Sequence, residues 1–466
     1  MNDQEKPRIG MLGIMQELYD DMLPGITEHQ EDYAREVVGH LRDLVEIDFP
    51  RAARNRQDIE DILQSFQTKD LDGVMIVMLT YGPGLRIVRA LQQNTLPILL
   101  ANIQPESTVT EKWDMADLTY NQGVHGAQDT ANMILRTTGS PPSIISEDWR
   151  SDRFREYVHD WAKAARTARK LREMRLVMIG QMQGMGDILT DPAAFMRTLG
   201  PQLEVRGIGS VYNRMESVTD GEIQNVKKVN AENFEIDPAI SEKQYSFAAR
   251  FQVGISKLLE DEGYGGFSIY FNSPGEDGRF EQIPMMAASN LMAEGYGYAA
   301  EGDMNCTALV AAGHILAGDA HFTEMYAMDF ERDAILQSHM GEGNWKIANN
   351  KHPIKLIDRE LGIGGLDNPP TVLFSARPGP ATLATLVSLR GDQYRLVVSQ
   401  GEVLETDVLP NVEMPYFHFR PEEGVRSCLD GWLRNGGTHH QCMLLGDQRR
   451  RWRLFSEITG IEFVEV

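Results

Sequence analysis

Histidine and glutamate side chains are the residues of this sequence with the clearest capacity for chemistry. Eleven histidines occur among 466 residues, and neutral imidazole is the side chain that most often binds transition metals. Most of these histidines lie on charged helices or have no acidic residue at ligand spacing. The exceptions are His339 and the pair His439-His440, which follows two glycines and precedes an apolar run. A His-His pair beside such a turn favours a functional role over a structural one.

Two glutamates have surroundings that suit a site. Glu301 lies between Ala300 and Gly302, which are small enough for another group to approach its carboxylate closely. Glu324 lies in a largely apolar and aromatic stretch, residues 321–330, where a carboxylate must be paired, protonated or bound to a cation. Glu324 could equally face water from an edge strand. The residues alone therefore give a candidate set of glutamates and histidines without showing that its members meet.

Two glycine-rich segments bear on nucleotide binding. Residues 180–187 follow a predicted strand but lack the G-x-G-x-x-G spacing that brings a backbone against a pyrophosphate. Residues 295–303 follow a helix and do not join a strand to a helix. Neither segment predicts dinucleotide or phosphate binding, so a nicotinamide oxidoreductase is disfavoured.

The elements that precede residue 172 predict an α/β domain. Short β-branched runs alternate with amphipathic stretches, a rhythm that implies a parallel sheet covered by helices. The turn at 81–84 comes at the carboxyl end of a predicted strand, where open α/β sheets bind ligands. The predicted strands are 9–14, 45–49, 73–78 and 97–100, and the predicted helices are 26–44, 59–66 and one that begins near Leu85.

The rest of the chain predicts a second α/β domain at 173–316 and a third domain at 317–466. A long charged helix, 149–175, is expected to connect the first two domains. The second domain is predicted from strands 176–179, 203–208 and 266–271 and helix 242–259. In the third domain, Gly, Pro and Asp turns separate predicted strands at 371–375, 382–388, 394–398, 403–408 and 416–419. The fold class is therefore two Rossmann-like α/β domains, with 1–172 the first, followed by a mainly antiparallel β domain.

Composition and charge restrict the partners. The chain is 42% hydrophobic and 24% charged, close to the globular average. Its net charge of −23 disfavours nucleic acid, because phosphate neutralisation needs clustered Lys and Arg. Arg449–Arg451 are interpreted as the solvated face of a helix.

The polar start and the lack of a long apolar run disfavour export and membrane insertion. Three widely spaced cysteines suit reduced thiols, so we expect a cytoplasmic protein.

Several segments resemble signatures of the L-arabinose isomerase family. The most specific is the second half of residues 291–303, which ends in Tyr298-Ala299-Ala300-Glu301-Gly302-Asp303. The other segments, in chain order, are Asn121-Gln122-Gly123-Val124-His125-Gly126, Ser338-His339-Met340, Leu361-Gly362-Ile363-Gly364-Gly365, 376–381 and Gly436-Gly437-Thr438-His439-His440. Together they span nearly the whole chain in the order expected of that family.

The resemblance implies a metal site and a sugar pocket. The positions that match the family's divalent-metal ligands are Glu301, Glu324, His339 and His440. Manganese is the expected ion, no organic cofactor is needed, and the two glutamates are implied as the acid and base that move protons through an enediol. The positions that match the sugar pocket are Gln16, Leu18, Tyr19, Gln122, His125 and Met185. The implied substrate is a pentose or hexose such as L-arabinose.

The resemblance also implies a homo-oligomer, usually a hexamer, in which the N-terminal domain of one subunit completes its neighbour's site. Two positions depart from the family pattern, since Glu17 stands where His is usual and Met325 where Asp is usual. The tail after His440 is also short. These departures leave the metal ligands intact and leave the identity of the sugar open.

A non-catalytic sugar-binding or sensor protein is the alternative interpretation. Residues 71–75 and 96–100 resemble segments of two-lobed sugar-binding proteins. That interpretation does not account for the glutamate and histidine segments, which the isomerase interpretation does.

Overall fold

The computed structural model describes residues 5–362 and 365–466. The chain divides into two compact units, an N-terminal unit that ends at Arg169 and a C-terminal unit that begins at Lys170. Ile363 and Gly364, from one of the family-like segments, lie outside the described residues. Every helix in the described part of the chain is too short or too polar to cross a bilayer.

The N-terminal unit is built on a five-stranded parallel sheet. The strand order is β2-β1-β3-β4-β5, one of the two common orders of doubly wound α/β folds. The strands are β1 (Arg8–Ile14), β2 (Glu46–Asp48), β3 (Gly73–Met78), β4 (Ile98–Asn102) and β5 (Ser143–Ser146). The helices are α1 (Leu18–Met22), α2 (Ile26–Leu41), α3 (Arg56–Gln67), α4 (Val88–Leu91), α5 (Met115–Asn121), α6 (Gly123–Thr138) and α7 (Asp152–Arg172), with a short 3-10 turn at Gly84–Ile87.

Apolar periodicity explains how this unit packs. Every residue of β3 is buried, as expected of a strand covered by helices on both faces. Helix α3 begins at a cap, where the Asn55 side chain accepts a hydrogen bond from Asp58 N. Its buried face ends at Phe66, whose ring lies where a Cβ on Gly10 of β1 would be, 2.6 Å away, so glycine is required at that position.

The C-terminal unit begins with a second parallel sheet. Its order is β10-β9-β6-β7, from β6 (Arg175–Ile179), β7 (Gln202–Val205), β9 (Tyr264–Ile269) and β10 (Gly297–Ala300). The helices here are α8 (Pro192–Thr198), α9 (Gly209–Met215), α10 (Asp220–Asn233), α11 (Glu242–Glu262), α12 (Ser273–Asp277), α13 (Met285–Ala293) and α14 (Met304–Ala317). The short strand β8 (Glu235–Ile236) joins β13 (Lys355–Asp358) and β14 (Pro370–Leu373) in a small separate sheet.

The same unit ends in a closed β-sheet that carries most of the predicted ligands. Its strands are β11 (His321–Asp329), β12 (Ala334–Ser338), β15 (Gly379–Ser388), β16 (Tyr394–Val403), β17 (Tyr416–Pro421), β18 (His440–Leu445) and β19 (Glu462–Glu465). Their order is β15-β18-β11-β12-β17-β16-β19, and a further β15–β16 pairing closes the sheet. All pairs are antiparallel except β16–β19. A 3-10 turn at Trp345–Ile347 and helices α15 (Gly424–Arg434) and α16 (Arg449–Thr459) complete the unit.

The predicted fold class is confirmed, and several element boundaries are corrected. The connecting helix runs over Asp152–Arg172, because Arg175 already opens strand β6. The predicted strand at 403–408 is wrong, since β16 ends at Val403 and residues 404–408 are irregular. The strand predicted at 371–375 lies in the small sheet with β8 and β13, outside the closed sheet. Strands β11 and β12 were not among the predicted strands, and the domain boundary at residue 316 stays a prediction.

Candidate metal centre

Glu301 lies at the carboxyl end of β10 in a conformation that few side chains adopt. Its φ is 67°, in the left-handed region that costs a non-glycine residue of the order of 1–3 kcal/mol. Neighbouring backbone groups hold it there: Glu301 N donates to the Ile269 carbonyl at 3.1 Å, and Met182 N donates to the Glu301 carbonyl at 2.8 Å. Such over-determined strain is concentrated at functional sites. The backbone of Glu301 is therefore held in place beside the site.

Strand register brings Glu324 to His440. Glu324 pairs directly with His440 of β18 on one side and with Ser338 of β12 on the other. Directly opposed residues in an antiparallel pair project to the same face, and His339 follows Ser338 immediately. Strand β11 is therefore an interior strand, which excludes the alternative that Glu324 faces water from a sheet edge.

The four side chains predicted as metal ligands lie close together. His440 Nε2 lies 3.3 Å from Glu324 Oε1 and 3.7 Å from Glu301 Oε2, and His339 Nε2 lies 3.8 Å from Glu324 Oε1. Both histidine side chains are almost wholly buried, and the two carboxylates are 13% and 15% exposed. We call Glu301, Glu324, His339 and His440 the metal centre.

Each buried imidazole of the metal centre is oriented by a carboxylate that sequence reasoning missed. His440 Nδ1 donates to Asp303 Oδ2 at 2.9 Å, and His339 Nδ1 donates to Glu342 Oε2 at 2.6 Å. Asp303 also caps α14, because its other oxygen accepts from the backbone N–H of Cys306. Such carboxylate–histidine pairs fix the tautomer and leave Nε2 free for a cation. The only sequence signals were a helix-cap position for Asp303 and the i+3 spacing of Glu342 from His339.

A tyrosine, Tyr298, holds the carboxylate that orients His339. Tyr298 Oη donates to the second oxygen of Glu342 at 2.7 Å, and the phenol and the carboxylate are both buried. Burial raises the pKa of Tyr298 well above its usual value, with the Glu342 charge adding to the effect. The phenol therefore stays protonated and keeps donating, which fixes the orientation of Glu342.

The charges of the metal centre stabilise one another when no cation is bound. Burial alone lowers the pKa of His339, but the charges of Glu342 and Glu324 outweigh burial and raise that pKa to about 9. Burial raises the pKa of Glu324, but the neighbouring histidines outweigh it and hold that pKa below its usual value. The metal centre thus holds negative charge that protons on the imidazoles neutralise, and a cation can replace those protons.

The donor atoms fit a divalent transition metal. Among the described residues, Glu301 Oε2 and His440 Nε2 are buried and have no hydrogen-bond partner, and an orphaned buried polar atom calls for an unseen ligand. Two sets of three donors lie within 4.8 Å of one another: Glu301, His439 and His440, and Glu324, His339 and His440. Mixed imidazole and carboxylate donors suit ions such as Mn²⁺, Fe²⁺ and Zn²⁺.

The predicted sugar-pocket residues are divided between the two units. Met185, half-buried, belongs to the C-terminal unit, and the other five belong to the N-terminal unit. Within that unit, burial raises the pKa of Tyr19, and the Gln122 side chain opposes that effect. Helix α6 begins beside Gln122 and packs closely on the end of β3, since a Cβ on Gly123 would lie 2.5 Å from the Met78 carbonyl. Gln16, Leu18 and Tyr19 follow strand β1, whereas Gln122 and His125 lie between β4 and β5. The role of these positions as a pocket stays a prediction.

The two departures from the family pattern have different surroundings. The side chain of Met325 is partly buried against two hydrophobic clusters of the C-terminal unit. Successive strand residues face opposite sides, so Met325 points away from the face that carries Glu324. Glu17 is exposed and accepts a hydrogen bond from Asn55 Nδ2 at 3.1 Å. Met325 therefore acts through packing and has no direct part in the metal centre.

Three family models match consecutive parts of the chain. They describe the N-terminal, central and C-terminal domains of L-arabinose isomerase and match residues 4–173, 189–319 and 319–462. L-arabinose isomerase 1 from Bacillus licheniformis is 26% identical over 454 residues, covering 94% of this chain and 90% of that protein. L-arabinose isomerase from Escherichia fergusonii is 26% identical over 411 residues, covering 84% and 80%.

Solved structures give weaker similarity. A periplasmic solute-binding protein from Actinobacillus succinogenes with bound D-allose is 12% identical, with a TM-score of 0.18, over 67% of this chain and 90% of that one. That TM-score is too low to support an inference about this chain. The three consecutive domain matches, in contrast, together cover almost every residue, and the matched relatives are enzymes that interconvert sugars. The chain belongs to the L-arabinose isomerase family of sugar isomerases.

Proposed function

We propose that the chain interconverts an aldose and its ketose with a divalent cation, Mn²⁺ as the expected ion, held by the metal centre. The observation that carries this proposal is the convergence of four predicted ligand side chains, two of whose atoms, Glu301 Oε2 and His440 Nε2, are buried without hydrogen-bond partners in the described chain. A bound cation supplies Lewis acidity that stabilises negative charge as it develops on the sugar oxygens. The two outer carboxylates support the proposal, because they hold both imidazoles with Nε2 turned inward.

The two glutamates of the metal centre are the groups that move protons. Isomerisation takes a proton from C2 and places one on C1, while a hydroxyl proton moves between O2 and O1 through an enediol. One carboxylate, Glu301 or Glu324, carries the proton between the two carbons, and the other carries it between the two oxygens. Well-placed groups of this kind contribute about 10²- to 10⁴-fold in rate. The backbone of Glu301 is held by hydrogen bonds to Ile269 and Met182, so its side chain starts from a fixed position.

We propose that the working site forms between subunits of a homo-oligomer, a hexamer as the family resemblance implies. The support is that the N-terminal unit leaves several large apolar side chains exposed, which contact with a second copy would cover. Their exposed fractions are 53% for Leu18, 59% for Met22, 71% for Leu85, 76% for Met115 and 49% for Leu118. Leu18 is itself one of the predicted pocket positions. A second copy that covers these side chains would bring the pocket residues to its own metal centre.

We propose a pentose or hexose as the substrate and the cytoplasm as the place of action. The sugar class rests on the family to which the chain belongs, and L-arabinose is the first sugar to test. The compartment rests on the three cysteines, which are buried free thiols and suit reducing conditions.

The experiment that tests the proposed function combines metal titration with a sugar panel. Metal-stripped full-length protein is titrated with Mn²⁺ by calorimetry, and the loaded protein is then assayed for ketose formation from pentoses and hexoses. We expect turnover of at least one aldose, and loss of Mn²⁺ binding in His440→Ala but not in the exposed control His352→Ala. Bound Mn²⁺ without turnover of any aldose would instead support a sugar-binding protein.

A further inference from the structure

Three histidines around the metal centre share one arrangement, although only two of them match family ligands. The third is His439, whose Nδ1 donates to Asp187 Oδ2 at 2.6 Å. His339 and His440 make the equivalent bonds to Glu342 and Asp303 at 2.6 and 2.9 Å. Because a carboxylate on one ring nitrogen is the usual partner of a metal-bound histidine, all three imidazoles are equally prepared to bind a cation.

The outer nitrogen of His439 points at the same two glutamates. His439 Nε2 lies 3.6 Å from Glu324 Oε1 and 3.9 Å from Glu301 Oε2, too far for hydrogen bonds. Two atoms that each lie about 2.1 Å from one ion are at most about 4.2 Å apart. The spacing therefore fits ligands of a shared ion. Among the described residues, His439 Nε2 is also buried without a hydrogen-bond partner, like His440 Nε2.

Asp187 holds both the ring and the backbone of His439. One carboxylate oxygen, Oδ2, accepts from His439 Nδ1 and also from the backbone N–H of His439 at 3.0 Å. The segment that carries Asp187 is fixed beside the metal centre, since Met182 N donates to the Glu301 carbonyl. The same loop thus braces Glu301 and orients His439.

We propose that His439 is a third imidazole ligand of the bound cation, oriented by Asp187. This inference rests on the proposed function, because it concerns the same ion. With a side chain that is 36% exposed, His439 is the imidazole nearest solvent, whereas His339 and His440 are 3% and 0% exposed. Its loss leaves the four ligands of the metal centre in place. The expected effect of losing it is therefore weaker binding, not absence of binding.

The test counts imidazole nitrogens coupled to Mn²⁺ by pulsed electron paramagnetic resonance of the loaded full-length protein. We expect three coupled nitrogens in the unsubstituted protein and two in His439→Gln, with Mn²⁺ dissociation constants raised about 10- to 100-fold in that variant. Asp187→Asn should keep three couplings and weaken binding about tenfold. His352→Gln, which alters an exposed histidine, is the matched control and should keep three couplings and the original affinity.

Two outcomes separate failure of this inference from failure of the proposed function. Two coupled nitrogens in the unsubstituted protein, unchanged in His439→Gln, would overturn the inference while leaving the metal centre intact. Absence of Mn²⁺ binding in a folded, unsubstituted protein would overturn both. Circular dichroism of each variant confirms the fold before its nitrogens are counted.

Discussion

The metal centre and the predicted sugar-pocket residues of the N-terminal unit differ in how completely one chain builds them. In the metal centre, strand register, a strained backbone and two outer carboxylates fix every ligand, and His440 is fully buried. In the N-terminal unit, Leu18 and His125 are exposed. The backbone hydrogen bonds within this group, from Tyr19 N to the Gln16 carbonyl and from His125 N to the Gln122 carbonyl, join only near neighbours in sequence.

The difference fits what each region is proposed to bind, a cation in the metal centre and a sugar in the N-terminal group. A cation needs several charged donors held at short, fixed distances, and that arrangement is costly unless the fold supplies it in advance. A sugar hydroxyl needs a donor or acceptor on a surface, which a second subunit can supply. The comparison predicts that changes in the metal centre remove metal binding and turnover together, whereas changes in the N-terminal group affect only turnover.

The largest effect is expected from the two glutamates of the metal centre. Glu324→Gln and Glu301→Gln each remove a proposed charged ligand that is also the proposed proton carrier, so kcat should fall by about 10⁴-fold or more in ketose-formation assays. The control is Glu331→Gln, an exposed glutamate in the turn after β11, which should keep full activity. Retention of activity within tenfold in both metal-centre variants would remove these residues from the mechanism.

A smaller effect is expected from the carboxylate that orients His339. Glu342→Gln replaces a charged acceptor with a neutral one, so the Mn²⁺ dissociation constant should rise about 10- to 100-fold in calorimetric titration. Tyr298→Phe removes a single hydrogen bond to that carboxylate, worth about 1 kcal/mol, and should weaken binding about fivefold. If Tyr298→Phe binds Mn²⁺ more weakly than Glu342→Gln, the inference that Tyr298 acts on His339 through Glu342 is wrong.

Metal affinity should also depend on pH with a defined sign. In the metal-free protein the pKa of His339 is raised to about 9, since Glu342 and Glu324 outweigh the opposing effect of burial. Below that pH Mn²⁺ must displace a proton, so affinity should rise with pH, by about tenfold per unit for one proton, between pH 7 and 9.

The raised pKa of His339 should make the stability of the metal-free protein fall with rising pH, whereas metal affinity rises. The folded-state pKa of His339 lies above the usual value of 6.5. The contribution of protonated His339 to the free energy of unfolding is therefore complete below pH 6.5 and is lost as pH rises towards 9. Chemical denaturation of metal-stripped protein measures it, and an increase of His339-dependent stability over this range would contradict the assigned charges. His339→Gln should remove that part of the pH dependence.

The smallest change in metal affinity is expected from the N-terminal group. Gln122→Ala should leave the Mn²⁺ dissociation constant within about twofold, because the metal centre is built without it, yet should raise KM about tenfold through one lost hydrogen bond. Leu18→Asp places a charge on the exposed apolar surface and should shift the oligomer towards smaller species in light scattering. A fully active monomer would contradict completion of the site between subunits.

Recognition of the metal centre from sequence depended on local segments. Residues alone suggested glutamates and histidines, and the family resemblance selected Glu301, Glu324, His339 and His440. Their convergence depends on the pairing of β11 with its neighbour β12 and with β18, which comes much later in the chain. None of these three strands was among the predicted ones. Mixed polar and apolar residues in β11 hide its alternation, because its second half leaves the buried core.

The supporting carboxylates were beyond sequence reasoning for a related reason. Asp303 reaches His440 across 137 residues, and Asp187 reaches His439 across 252. No local pattern marks such a pair. The α/β rhythm of the first two thirds was predictable, because it arises from apolar periodicity within each element, whereas closure of the last sheet by the β15–β16 pairing arises from tertiary contacts.

The central claim is that the metal centre holds a divalent cation needed for isomerisation. The most direct measurement is a titration of metal-stripped protein with Mn²⁺, followed step by step by calorimetry and by ketose formation from the aldose that the loaded protein converts best. We expect one ion per chain and activity that rises in proportion to its occupancy, with both lost in His440→Ala. Full activity in protein shown to be free of metal, or unchanged binding and turnover in His440→Ala, would contradict the claim.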